Sequence, residues 1–115
     1  MANSSLDLLR GTLDLLVLQT LITGPRHGYT IAEEILRNSG NELLVDEGAL
    51  YPALHRLAAR GWVESAWGVS ENNRKARYYS LTAVGRRQLR TQTAEWRRYV
   101  TAVARILKPG RAESA

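Results

Sequence analysis

The stretch VDEGALYPALHRLAARG, from Val45 to Gly61, limits the fold more than any other part of the chain. Leu50, Leu54, Leu57 and Ala58 recur at helical spacing, which predicts a helix with one apolar face. Asp46 suits the N-cap, because a short carboxylate can accept an orphan backbone N–H, and Glu47 adds negative charge to the first turn. Gly61 suits the stop, where glycine readily takes the left-handed conformation that ends many helices. The outer face then carries Ala49, Tyr51, Pro52, His55 and Arg56, which no apolar packing would group. With Asp46 as cap, Pro52 falls in the second turn and removes the bond to the Gly48 carbonyl. A start nearer Tyr51 would instead put Pro52 at the first helical position. A short helix with a leucine stripe and a polar-aromatic outer face fits a DNA major groove. Taken alone it reads first as an ordinary amphipathic surface helix, and the flanking segments decide between the two.

Upstream, Leu6 to Thr23 reads as a first helix, with Leu9, Leu13, Leu16, Val17 and Leu21 on one stripe. Leu15, Leu18 and Ile22 widen that stripe, so burial on more than one side is expected. Thr12 could instead cap a start at Leu13, leaving residues 6–11 as a separate arm. Gly24-Pro25 breaks the helix. A second helix is expected from about Tyr29 to Asn38, with Ile31, Ala32, Ile35 and Leu36 inward. Asn38 to Asn41 is a loop by composition, and Leu43 to Val45 is a short extended run. Two short helices joined in this way make a helix-turn-helix.

Downstream, Trp62 to Trp67 and Ala76 to Leu81 read as strands joined by the polar turn GVSENNRK, Gly68 to Lys75. A hairpin directly after a recognition-type helix is the wing of a winged helix, and its tip would hold Asn72, Asn73, Arg74 and Lys75 against a duplex backbone. Thr82 is the N-cap candidate of a last helix running to about Leu107. There Leu89, Trp96, Val100, Val103 and Leu107 form a near-heptad stripe. A domain of this size has little left to cover that stripe, which points to a second copy of the chain. The fold expected is mainly α with a small β-hairpin: a winged helix-turn-helix over residues 6–81, a dimerisation helix over 82–108 and a disordered tail over 109–115.

Charge agrees with this plan. Acids outnumber bases up to Asn73, whereas from Arg74 to Arg111 the only acid is Glu95 among a run of arginines and lysines. Such asymmetry favours a polyanion near the C-terminal half. An anionic membrane is a poorer match, because the helix lacks a strong apolar face rich in Leu and Phe. The N-terminus is apolar but carries Asp7, Arg10 and Asp14, against a signal peptide or a membrane span. The absence of cysteine excludes disulfides and thiolate metal sites and suits a reducing cytoplasm. His27 and His55 are far apart without cysteine support, the glycines are single, and the carboxylate pairs Glu33-Glu34 and Asp46-Glu47 split across helical faces. No cofactor, metal or enzymatic role is therefore expected.

The chain resembles the PadR-like bacterial transcription regulators, from Arg10 to Leu107. The resemblance is carried by GTLDLLVLQTL at Gly11–Leu21, GPRHGYTIAEEI at Gly24–Ile35 and EGALYPALHRLAARGWVES at Glu47–Ser65. It continues through SENNRKARYYSLTAVGRRQL at Ser70–Leu89 and the tryptophan-bearing last helix. The resemblance implies a winged helix-turn-helix, a homodimer through the last helix and, as a rule, repression. A dimer presenting two such helices would meet two half-sites related by a two-fold axis, a palindromic operator on double-stranded DNA. The resemblance is to the smaller members, with one C-terminal helix. On this reading Ala49, Tyr51, Pro52, His55 and Arg56 face the duplex, and Tyr29 and Thr30 hold its backbone. Asn73, Arg74, Lys75 and Arg77 meet phosphates, and Leu89, Trp96, Val100, Val103 and Leu107 form the dimer interface. Trp96 matches a position that in some members stacks flat aromatic effectors; as an interface core residue it needs no effector. Two departures stand out. Ala49 replaces a frequent hydroxyl residue and can meet only a thymine methyl. The Asp46-Glu47 pair would repel phosphate at the mouth of the groove. The competing function is a winged-helix protein-interaction module that binds no DNA.

Overall fold

The computed structural model of the protein describes residues 11–108. Its elements are α1 (Thr12–Thr20), β1 (Arg26–His27), α2 (Gly28–Asn38), α3 (Glu47–Ala59), β2 (Val63–Val69), β3 (Lys75–Leu81) and α4 (Ala83–Leu107). The first helix begins at Thr12 with Gly11 in the left-handed region at its cap, so Thr12 is its first residue and not its capping side chain. It ends at Thr20, short of the expected Thr23, because residues 21–24 fold back in a turn with Leu21 and Ile22 bonded to the carbonyls of Leu18 and Gln19. The expected extension to Leu6 and the expected tail after Lys108 lie outside the described residues.

Helix α3 starts where Asp46 predicts: its carboxylate accepts from the Ala49 N–H at 3.2 Å. Pro52 therefore sits inside the helix, which runs through it, and the alternative start near Tyr51 does not occur. Gly61, at φ 78°, ends the helix in a Schellman motif: its N–H bonds the Ala58 carbonyl and that of Trp62 bonds the Leu57 carbonyl, both at 3.0 Å. The inward stripe is Leu50, Ala53, Leu54 and Leu57; Ala58, expected inward, is exposed. The helix turns Ala53 towards the core, where its small side chain allows close approach.

These residues join Leu13, Val17, Leu18 and Leu21 of α1 and its turn, Ile31 and Ile35 of α2, and Val63, Tyr79 and Leu81 of the hairpin in one core. A fully buried leucine contributes about 1.5–3 kcal/mol through removal of apolar surface from water, so this cluster holds the three helices and the hairpin together.

The sheet is antiparallel with order β1-β3-β2. Its hairpin is longer at the tip than expected, because Gly68↔Ala76 and Val69↔Lys75 still pair. The turn is confined to Ser70–Arg74, where the Ser70 N–H bonds the Arg74 carbonyl at 2.8 Å and Asn73 takes φ 60°. The third strand, β1, has only two residues, paired with Tyr79 and Tyr78, and is too short to show a strand period in sequence.

Thr82 caps α4, accepting from the Gly85 N–H at 2.9 Å while its own hydroxyl donates to the Gly61 carbonyl at 2.7 Å. The helix start thus docks on the end of α3. A Cβ at Gly85 would lie 2.0 Å from the Trp62 carbonyl oxygen, so only glycine permits this approach. Leu89, expected in the free stripe of α4, is buried in the chain's own core. Helix α4 packs along α1 and on the end of β3, with Trp96 and Tyr99 still beside the α1 start, and its last turn, with Ile106 and Leu107 exposed, extends beyond them.

Candidate nucleic-acid interface

The first wall of the site is the outer face of α3, where Ala49, Tyr51, Pro52 and His55 are all exposed. Tyr51 has two roles in packing and exposure. It retains 38% of its surface, yet its ring lies on the start of α2, where a Cβ at Gly28 would come within 2.5 Å of the phenol oxygen. Burial pushes the Tyr51 phenol pKa up, with the Glu47 carboxylate and Tyr79 adding to the effect. Its hydroxyl therefore remains a donor at neutral pH. His55 stands beside a depression shared with Ser65, Arg77 and Tyr79 of the hairpin.

Arg56 is the residue the structure places differently from expectation. Its Nη2 donates to Asp14 Oδ1 at 2.8 Å, turning the guanidinium towards α1. Arg60 Nη1 lies 4.0 Å from the other oxygen of the same carboxylate. Asp14 is nearly buried, and an unpaired carboxylate there would be costly. The hydrogen bond and charge of Asp14 raise the Arg56 pKa further. Arg56 is thus a brace between α1 and α3, a role hidden from sequence because its partner is 42 residues away.

The second wall is the start of α2. Tyr29 is 62% exposed, and Thr30 Oγ1 shares a 3.0 Å hydrogen bond with His27 Nε2. The His27 ring meets the Tyr78 ring edge-on at 5.6 Å and is stacked near Tyr29 at 6.3 Å, so the start of α2 and β3 are joined through it. Arg26 secures the preceding turn: Nε donates to Glu34 at 2.9 Å, Nη1 to the Gly24 and Pro25 carbonyls, and Nη2 to Thr23 at 2.8 Å.

The third wall is the hairpin, with Asn73, Arg74, Lys75 and Arg77 exposed. The register Ser65↔Tyr79, Trp67↔Arg77 and Val69↔Lys75 puts these residues on one face of the sheet. Its base is the core residues Val63 and Leu81, and its outer part runs beyond α3 into solvent. Trp67 was not among the residues the sequence singled out. The ring is 60% exposed, with Lys75 Nζ 5.2 Å and Arg77 Cζ 5.1 Å from its centroid. The alternation of Trp67 with Val69, facing Lys75 and Arg77, becomes informative only once the hairpin register is known.

The last helix carries a separate set of residues. Trp96 and Tyr99 lie 5.9 Å apart at 34° and line a cleft of about 510 Å³ with Gly11, Thr12 and Leu15 of the α1 end. Val100 and Leu107 are exposed, and Val103 is half-buried. Among the described residues no cluster of three or more His, Asp or Glu could hold a metal ion, and no helix is long and apolar enough to cross a membrane.

Residues 17–91, more than half of the chain, match the transcriptional regulator PadR-like family. An uncharacterised protein of Lysinibacillus sphaericus is 31% identical over 90 residues, covering 78% of this chain and 83% of its own. The fold is similar to that of a transcriptional regulator from Clostridium thermocellum, with a TM-score of 0.78, 28% identity and coverage of 86% of this chain and 93% of the other. It is also similar to a PadR family transcriptional regulator from Eggerthella lenta, with a TM-score of 0.73, 32% identity and coverage of 88% and 86%.

Proposed function

We propose that this chain, which belongs to the PadR-like family of transcriptional regulators, acts as a homodimeric repressor on a palindromic operator in the cytoplasm. Membership implies DNA-binding regulation. The observation that supports the DNA reading is that three exposed surfaces adjoin one another: Tyr51 of α3 lies against Gly28 at the start of α2, His55 adjoins Ser65 and Arg77 of the hairpin, and Tyr29 and Thr30 line one cleft with Arg74 and Lys75. In the proposed complex α3 enters the major groove, with Ala49, Tyr51, Pro52 and His55 towards the bases. Tyr29 and Thr30 sit against one phosphate strand, and Asn73, Arg74, Lys75 and Arg77 against another. Repression follows if the bound dimer occludes the promoter.

The second copy is inferred from α4. Tyr99, Val100, Ile106 and Leu107 are exposed along a helix that extends past its own domain. Pairing two such helices, with α1 supplying further apolar surface, would cover them and set two copies of α3 about one or two helical turns of DNA apart. Trp96, with Tyr99 beside it, would then lie at the dimer seam, as a core residue or as a platform for a flat aromatic effector.

Filter binding of duplex DNA over a range of salt tests this function. A DNA-binding dimer loses affinity steeply as salt rises, because each phosphate contact releases counterions. A flat, weak response would favour a winged-helix module that docks on protein.

A further inference from the structure

We propose that Trp67 is a positioning residue of the wing: it holds Lys75 and Arg77 as one preformed clamp for DNA phosphates. The inference rests on the DNA-binding reading above and extends it to a residue with no charge of its own. Three observations carry it. Trp67 is the largest side chain on the outer part of the hairpin face, and it is 60% exposed, so core packing does not explain it. Both neighbouring cations lie over its ring, at 5.2 Å for Lys75 Nζ and 5.1 Å for Arg77 Cζ. Arg77 is also held from the next rung, where its Nε donates to Ser65 Oγ at 3.0 Å. The strand register makes the arrangement possible, since Trp67 lies opposite Arg77 and its diagonal neighbour is Lys75.

The physical argument concerns entropy as well as attraction. Lysine and arginine lose rotamer freedom when they dock on phosphate. A ring that collects both heads beforehand, through cation–π attraction already present in the free protein, removes part of that loss from the binding step. The face bearing the clamp is the one that continues from the core beside His55, so the cations stand on the same side as α3.

The experiment is a double-mutant cycle on DNA binding, with titrations of the full chain at several salt concentrations. Trp67→Leu should weaken binding to operator and random duplex alike by about three- to tenfold, a part of the ordering cost of two rotamer-rich side chains. Its salt slope should match wild type, because both cations still reach phosphate. Trp67→Phe, which keeps a π face, should recover most of the loss. In a Lys75→Ala/Arg77→Ala background, Trp67→Leu should cost nothing further, since no cation is left to position. In the free protein, the side-chain methylene protons of Lys75 and Arg77 should show upfield NMR shifts that vanish in Trp67→Leu. Unchanged affinity for Trp67→Leu would overturn the proposal, as would a full loss in Trp67→Phe. A loss that persists in the double-alanine background, or that spares random DNA, would mean that Trp67 touches DNA itself. Wild-type protein without salt-dependent binding would overturn the underlying DNA reading as well, and the wild-type titration alone distinguishes that result.

Discussion

Helices α3 and α4 carry similar apolar stripes and meet opposite environments. In α3 the stripe Leu50, Ala53, Leu54 and Leu57 is closed over by the chain itself, each residue at 1% exposure or less. In α4 only the start is covered: Gly85 and Leu89 are buried, whereas Val100 is 42% exposed and Leu107 73%. Periodicity therefore states that a helix has a face to bury, and says nothing of what buries it. The supply of neighbours decides: α1, α2 and β2 all pack on α3, whereas α4 has chiefly α1, with a smaller contact to β3.

The contrast can be broken most severely on α4. Replacing Val100 and Val103 by Asp would place unpaired charge in the proposed interface, at about 3–5 kcal/mol for a buried charge without a partner. Sedimentation should show monomers, and the melt of the winged domain should fall only as far as dimer linkage requires. A dimer that persists would move the interface elsewhere. On α3 the corresponding change is Leu54→Ala. Leu54 is fully buried, so the expected loss is about 2–5 kcal/mol of unfolding free energy, read by denaturant titration. That loss should appear whatever the oligomeric state, which sharpens the difference between a self-covered stripe and a shared one.

Tyr51 tests the exposed side of α3. Because its ring covers Gly28, Tyr51→Ala should lower both stability and operator affinity. Tyr51→Phe keeps the packing and should leave the melt unchanged while costing about 1–2 kcal/mol of operator binding if the hydroxyl donates to DNA. Equal affinity for the phenylalanine variant would assign Tyr51 to packing alone. The smallest effect belongs to the wing. Arg74→Ala with Lys75→Ala should weaken binding to every duplex, lowering the salt slope by about one to two units. A loss confined to the operator would show that the wing reads bases.

Much of the local structure is legible in the residues. Asp46, Gly61 and Thr82 mark helix ends because capping and left-handed turns are local backbone chemistry, complete within a few residues. The hairpin is legible from its strand runs and polar turn, although its pairing extends beyond the runs at the tip. Other features are decided between distant residues. Arg56 looks like any exposed arginine until α1 brings Asp14 to it, and Leu89 looks like part of the long stripe until α1 and the hairpin base close over it. Trp67 gains two cations only through the strand register, and Tyr51 gains Gly28 only through the packing of α3 on α2. The chain's sequence alone determined the helices, the wing and the family. Which outward-facing residues remain free for DNA was decided by tertiary structure, because a side chain's partner depends on which elements meet, and local propensity does not specify that.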